Sequence, residues 1–207
     1  TRQFSINYDN IFAEDHSLSV LALYEAIDYS GNWMSASRED LLTPSIEELF
    51  VGNTETMKND GASSEMGRKS FVGRFNYSYK NRYLLETILR ADASAKFAPG
   101  HRWGVFPSVS MGWRISEESF MSNTKSIVDD FKIRASYGRS GNDAVGNFQY
   151  LSGYKLNGYY LLGDKSMLGI TTTGLANPNL TWEKFEIWNV GLNYSFLNRL
   201  IYGEGDV

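Results

Sequence analysis

Along this chain large apolar residues recur at every second position, in runs that no helix could segregate. The cleanest run spans residues 102–116. Trp103, Val105, Pro107, Val109, Met111, Trp113 and Ile115 share one side of it, and Arg102, Gly104, Phe106, Ser108, Ser110, Gly112, Arg114 and Ser116 share the other. A helix would scatter both sets around its circumference, so the run predicts a strand. Phe75, Tyr77 and Tyr79 alternate in the same way with Arg74, Asn76, Ser78 and Lys80. Phe131, Ile133, Ala135 and Tyr137 alternate with Lys132, Arg134, Ser136 and Gly138, and residues 188–196 separate Trp188, Val190, Leu192, Tyr194 and Phe196 from Asn189, Gly191, Asn193 and Ser195. Over 83–94, Tyr83, Leu85, Thr87, Leu89 and Ala91 oppose Glu86, Arg90 and Asp92, although Leu84 and Ile88 break the polar side. Shorter runs at 4–12 and 17–29, and the start of another after Leu200, complete the set. The predicted fold is all-β, an antiparallel up-and-down meander of about eight strands.

Length and spacing decide what kind of meander. Strands of soluble proteins usually run about 5–6 residues, and the best run here is far longer. Trp103 and Trp113 lie on one face ten positions apart. Ten residues in a strand tilted by ~40° project to ~25 Å, the height of the apolar band between the two aromatic girdles of an outer-membrane barrel. Trp103 and Trp113 are therefore candidate membrane-girdle aromatics. Connection lengths alternate as such a barrel requires. Residues 13–16, 80–82 and 197–199 are short. The stretch from about Ser30 to Met66, the 95–101 loop and the stretch from 141 to 181 are long, and 117–130 is a medium connection with helical character on the short side. Pro107 cannot donate to a ladder, so a bulge is expected beside it, or an N–H position facing an irregular stretch of its neighbour.

Composition then excludes most alternatives. The 207 residues contain no Cys and only 2 His, so disulfides, thiolate metal sites and cysteine nucleophiles are ruled out and a histidine metal pair is not indicated. A formal net charge of −4 and the lack of a basic run argue against a nucleic-acid partner. Mean hydropathy is −0.35, and no stretch is apolar enough for a membrane helix, which leaves a membrane barrel open because a barrel strand buries only alternate residues.

Several ordered motifs then carry a resemblance. They are 73–79 (GRFNYSY), 83–85, 102–118 (RWGVFPSVSMGWRISEE), 132–142 (KIRASYGRSGN), 175–183 (LANPNLTWE), 188–192 and 197–200. Together they resemble the barrel of SusC/RagA-type TonB-linked outer-membrane transporters, closely over 67–200 and more loosely over 1–66. The resemblance implies that 1–207 is a partial TonB-dependent receptor β-barrel domain, part of a large transmembrane barrel with long extracellular loops. The plug domain and both native termini are expected to lie outside it. It further implies an outer-membrane, Gram-negative location, a non-enzymatic role without cofactor, and import of oligosaccharides or peptides. The partners implied are the TonB complex, a SusD-like lipoprotein and outer-membrane lipid. Two alternatives remain open on the residues alone: a small self-contained outer-membrane barrel acting as an adhesin or structural protein, and a soluble glycan-binding β-sandwich. Against the first, Gly104, Ser108, Ser110 and Gly112 are small for filling a narrow closed barrel.

No catalytic or metal motif is present: there is no nucleophile elbow, zinc helix, P-loop or dinucleotide fingerprint. The acid pairs Glu117-Glu118 and Asp129-Asp130 read as a solvated turn, and 138–142 as a strand-to-loop turn. Arg74, Glu86, Arg90, Asp92, Arg114, Lys132 and Arg134 are expected on the lumen face, since a Lys or Arg at the lipid midplane costs ~2–4 kcal/mol. Their mixed signs suit mutual pairing and contact with a plug, or alternatively a substrate path. Phe148, Tyr150, Tyr154, Tyr159 and Tyr160 lie among Gly, Asn and Ser and could stack on a sugar or meet the lid protein. The other reading is loop packing or a short hairpin.

Overall fold

The computed structural model describes residues 1–207. Ten strands form: β1 (Arg2–Phe12), β2 (His16–Ser37), β3 (Lys58–Tyr79), β4 (Tyr83–Ser94), β5 (Trp103–Arg114), β6 (Val128–Asn142), β7 (Tyr154–Leu162), β8 (Lys165–Thr172), β9 (Glu183–Phe196) and β10 (Ile201–Asp206). Eight of them make one sheet in the order β1-β2-β3-β4-β5-β6-β9-β10, every pair antiparallel, and β7 pairs with β8 as a separate hairpin. β1 and β10 are the edges of the large sheet and do not meet. An eight-stranded barrel closed on itself is thus not what these strands build. Nor do they stack as two facing sheets, so the sandwich alternative fails.

The alternation explains why the sheet has two unlike faces. Residues directly opposite in a ladder point to the same side. The register Tyr79↔Tyr83↔Trp113↔Ile133 and Phe75↔Thr87↔Val109↔Tyr137 therefore gathers the apolar set of every strand on one face. Only Ala26, Phe97, Ala98, Phe106 and Trp182 are buried hydrophobics, and Trp103 remains 52% exposed. A soluble domain of this length would cover its large apolar side chains, and here they form a continuous uncovered surface.

Two connections differ from expectation. β2 and β3 continue in unbroken register from His16↔Tyr79 to Ser37↔Lys58, so the long connection narrows to 38–57 and the hairpin projects well beyond the rest of the sheet. Residues 138–142 do not turn; they carry β6 on to Asn142, paired with Glu183. The medium connection holds two short 3₁₀ segments, Ile115–Glu117 and Ser119–Thr124. No bulge forms at Pro107, which keeps register opposite Leu89 in β4, while the β5–β6 ladder stops at Ser108↔Gly138. The proline occupies the first position where β5 has lost its neighbour, so no ladder bond is forfeited on that side.

Candidate functional site

On the apolar face the aromatics fall into two belts. Near the short turns Phe12 stacks on His16 at 5.1 Å, His16 lies 4.7 Å from Tyr79, and Tyr79 stacks on Tyr83 at 6.3 Å. Trp113 continues the row opposite Tyr83. Toward the long loops Tyr24 packs on Phe71 at 5.0 Å and Phe71 on Trp103 at 5.9 Å, with Phe4 opposite Tyr24, while a Tyr137–Trp188 pair at 4.4 Å lies in the row of Phe75 and Val109, between the two belts. Each strand pays out eight or ten residues between belts: Phe4 to Phe12, His16 to Tyr24, Phe71 to Tyr79, Trp103 to Trp113. At ~3.3 Å per residue and ~40° tilt these separations project to ~20–25 Å. Between the belts the face is almost wholly apolar, and Asn10 there donates to the Tyr8 hydroxyl at 3.0 Å. Charges return on this face toward the long loops: Lys69 and the Arg2–Asp28 pair outside Tyr24 and Phe71, and Arg139 with Glu186 one step past Tyr137 and Trp188.

The other face is polar. Arg74, Glu86, Arg90, Asp92, Arg114, Lys132 and Arg134 all lie on it by register. Few pair among themselves. Arg90 binds Asp92 at 2.6 Å, whereas Arg114 pairs with Asp130 at 3.2 Å and Arg134 with Asp206 at 2.6 Å and Glu204 at 3.4 Å. Arg74, Glu86 and Lys132 have no ion pair. Glu86 and Lys132 line a shallow groove with Ser17, Ser19, Asn76, Ser78 and Ser110, a surface rich in hydroxyl and amide groups.

At its long-loop end the polar face carries an assembly that sequence reasoning did not single out. Phe97, Phe106 and Trp182 form the chain's only fully buried hydrophobic cluster, with Val145 and Leu180 against it. Phe106 was the one aromatic on the polar side of its run, which was the available signal. Its ring lies over Gly104 and Gly141, where a Cβ would collide with it, so both positions require glycine. Trp182 Nε1 donates to the Arg102 carbonyl at 2.8 Å, Thr181 Oγ1 to the His101 carbonyl at 3.0 Å, and Arg102 Nε to the Phe97 carbonyl at 3.1 Å. The preceding Asn177 closes its own turn by accepting from Asn179 N–H at 3.2 Å. Beside this cluster Asp143 is buried and ion-paired to Arg68, and its carbonyl accepts from Lys96 Nζ at 2.9 Å. Burial opposes the charge on Asp143, but the Arg68 guanidinium and the Ser94 hydroxyl, with Lys96 nearby, hold its carboxyl below the ordinary range.

The acid pairs at the short-turn end are not a solvated turn. Glu118 is buried and accepts from the Tyr83 hydroxyl at 2.7 Å, Trp113 Nε1 at 3.0 Å and Arg82 at 3.3 Å. Those hydrogen bonds from Tyr83 and Trp113 outweigh desolvation and, with Arg82, hold its carboxyl below the usual range. Asp129 bulges out of β6 and accepts from Asn198 N–H at 3.2 Å and Arg199 N–H at 2.8 Å. It thereby holds the turn in which Leu197, Asn198 and Arg199 all take positive φ.

The loop aromatics do not gather into one surface. Phe148 and Tyr150 make an edge-on pair at 6.3 Å before the hairpin, and Tyr154, Tyr159 and Tyr160 stand exposed on β7. A register shift between Leu156 and Tyr159 puts Tyr154 and Tyr159 on one hairpin face and Tyr160 on the other.

An antiparallel wall with one banded apolar face and one polar face, short turns at one end and long loops at the other, is the wall of an outer-membrane β-barrel. Comparison with known proteins specifies the kind. Residues 2–206 match the model of the family described as TonB dependent receptor-like, beta-barrel, and the chain belongs to that family. It is 40% identical over 138 residues to the TonB-dependent receptor SusC of Bacteroides thetaiotaomicron, a match covering 65% of this chain and 14% of that protein. It is 30% identical over 207 residues to the TonB-dependent receptor P26 of Formosa agariphila, covering 97% of this chain and 20% of that one. The solved RagAB peptide importer in its closed-closed state superposes with a TM-score of 0.86 at 26% identity, over 99% of this chain and 22% of that one. The chain thus spans about a fifth or less of these relatives. SusC/RagA-type kinship and an outer-membrane location follow from this membership, and the family is one of receptors and not of enzymes.

Proposed function

We propose that residues 1–207 form part of the barrel domain of a TonB-dependent importer, with the plug supplied by another part of the same protein. The wall is lipid-facing on its belted side, with Trp103 and Trp113 among the girdle aromatics. The polar side, with Arg74, Glu86, Arg90, Asp92, Arg114, Lys132 and Arg134, lines the lumen. The observation that carries this reading is the double belt at matching separation along four strands, because neither a soluble sheet nor a filled small barrel needs it. The cargo is an oligosaccharide or a peptide. Kinship to SusC and to a peptide importer supports that pair, and the hydroxyl- and amide-rich groove beside unpaired Glu86 and Lys132 suits hydrogen-bonding to either. A SusD-like lipoprotein covers the long-loop end, and the TonB complex supplies the energy. Exposed Tyr154, Tyr159 and Tyr160 contribute to contacts with cargo or lid, since tyrosine offers a broad face and a hydroxyl at low entropic cost.

Deleting the full-length gene should abolish growth on one class of oligomeric nutrient and leave growth on its monomers intact. Affinity purification of the tagged receptor should bring down an outer-membrane lipoprotein. Normal growth of the deletion strain on every glycan and peptide source would remove the import reading. Replacing Tyr154, Tyr159 and Tyr160 together by Ala should weaken cargo or lid binding several-fold, and unchanged binding of both would remove the hairpin from the functional surface.

A further inference from the structure

We propose that a depression on the belted face, beside Trp103, binds the phosphate of an outer-leaflet lipid headgroup. The inference rests on that face being the lipid-facing one. Moving outward along the strands from Tyr24 and Phe71, the next row in register is Ala26, Lys69, Ala93 and Trp103, whose ring leans back onto Phe71. Gly67, Ala93 and Ala95 provide small side chains there beside Lys69 and Trp103, and Arg68, Ser94 and Arg102, which fall on the polar face by alternation, close the hollow where the sheet ends at the rim.

The charge pattern is what points to an anion. Most other guanidinium groups around this outer rim are committed: Arg68 to Asp143, Arg90 to Asp92, Arg139 to Glu186. Lys69 is exposed and makes neither an ion pair nor a side-chain hydrogen bond. Arg102 uses only Nε, on the Phe97 carbonyl at 3.1 Å, and has no carboxylate partner. Its terminal nitrogens are free to act as a fork. Asp28 is the one carboxylate lining the hollow, and Arg2 already binds it at 2.9 Å. Lys69 therefore stands level with Trp103 and one step outside Tyr24 and Phe71, with Arg102 beside it at the rim, and neither cation has a carboxylate partner. In a bilayer that is headgroup depth, where an indole marks the boundary and Lys and Arg meet phosphate. The ammonium supplies a point charge and the guanidinium two parallel donors, a pairing suited to a phosphate monoester. Small side chains on the floor let the headgroup approach the sheet.

The test uses the full-length receptor, purified in detergent, stripped of lipid and offered phosphorylated or enzymatically dephosphorylated lipid A, with bound lipid counted by native mass spectrometry. The K69Q/R102Q variant should retain phosphorylated lipid A about tenfold less well than the parent, as expected for two cations near an anionic surface. Both proteins should hold the dephosphorylated lipid equally. Because losing Arg102 also loosens the 95–101 loop, K69Q alone is measured too and should show a several-fold loss with unchanged heat-modifiable mobility. Equal retention of phosphorylated lipid A by parent and variants overturns the proposal. So does displacement of lipid A by millimolar inorganic phosphate, which would make the hollow a site for free anions. Quenching of Trp103 by brominated lipid, judged against Trp103→Phe, separates the two layers of the argument. Absence of quenching removes the lipid-facing reading itself. Quenching with undiminished lipid A binding in K69Q/R102Q removes only the headgroup site.

Discussion

The two ends of this sheet are finished by different physics. At the short-turn end the chain reverses within a few residues and each reversal is held by polar groups. Asp129 takes the N–H groups of the 197–199 turn, and Glu118 ties Tyr83, Trp113 and Arg82 to the 115–127 connection. At the long-loop end the segments 95–102, 143–145 and 180–182 fold over the polar face and build the chain's only buried hydrophobic cluster on Phe106. A tight turn has too few residues to enclose apolar volume, so carboxylates satisfy its backbone directly. Long loops bring enough side chains to exclude water and become a packed layer. The difference separates anchoring from the shaping of a surface that cargo can meet.

The sharpest way to break that comparison is Trp182→Ala in the full-length receptor. Loss of a buried indole costs about 3–5 kcal/mol, and the Arg102 carbonyl keeps only its bond from Ser94 N–H. The expected result is rapid cleavage of the outer loops by protease added to intact cells, with the barrel still heat-modifiable. Unchanged cleavage would mean that the cluster does not hold the loops. Next in size is the Arg68–Asp143 pair. A carboxyl held below its ordinary range contributes stability that is present above the unfolded value and is lost as pH falls through the lower folded value. Hydrogen exchange of 143–147 should therefore rise only below about pH 4, where ordinary carboxyls begin to protonate. In Asp143→Asn exchange should be fast already at neutral pH and lose that acid step. Glu118→Ala should expose the 115–127 connection to protease from the periplasmic side and leave the outer loops as resistant as before. A simultaneous change at both ends would show that the two rims are coupled. The smallest effect is expected for Asp129→Ala. Two turn N–H groups lose a partner but can reach water, so a drop of about 1 kcal/mol in unfolding free energy is expected from urea titration.

The strands were legible because a half-wet sheet imposes a period of two that no other element imitates. The 83–94 alternation matches β4 residue for residue, and the final strand was visible after Leu200. Where alternation weakens, so did the reading. β2 and β3 run on past their apolar stretches because backbone pairing alone carries them once the hairpin leaves the band, and residues such as Ser35 or Asn59 announce nothing. The β7–β8 hairpin was foreseen only as one reading of the 141–181 stretch, without strand bounds, because its two faces are similarly mixed and a register shift at Gly158 interrupts the period.

By itself the sequence determined the class of element, the two-faced character of the sheet, the separation of the Trp103 and Trp113 levels and the family. All of these depend on local period and on order along the chain. Only the tertiary structure decided which charges are compensated and what each rim is made of. Arg134 meets Asp206 across β9 and β10, Arg68 meets Asp143 from another strand, and Trp182 reaches Arg102 from eighty residues away. An ion pair or a core is fixed by strand register and loop path, which bring together residues that carry no mark of one another in the sequence.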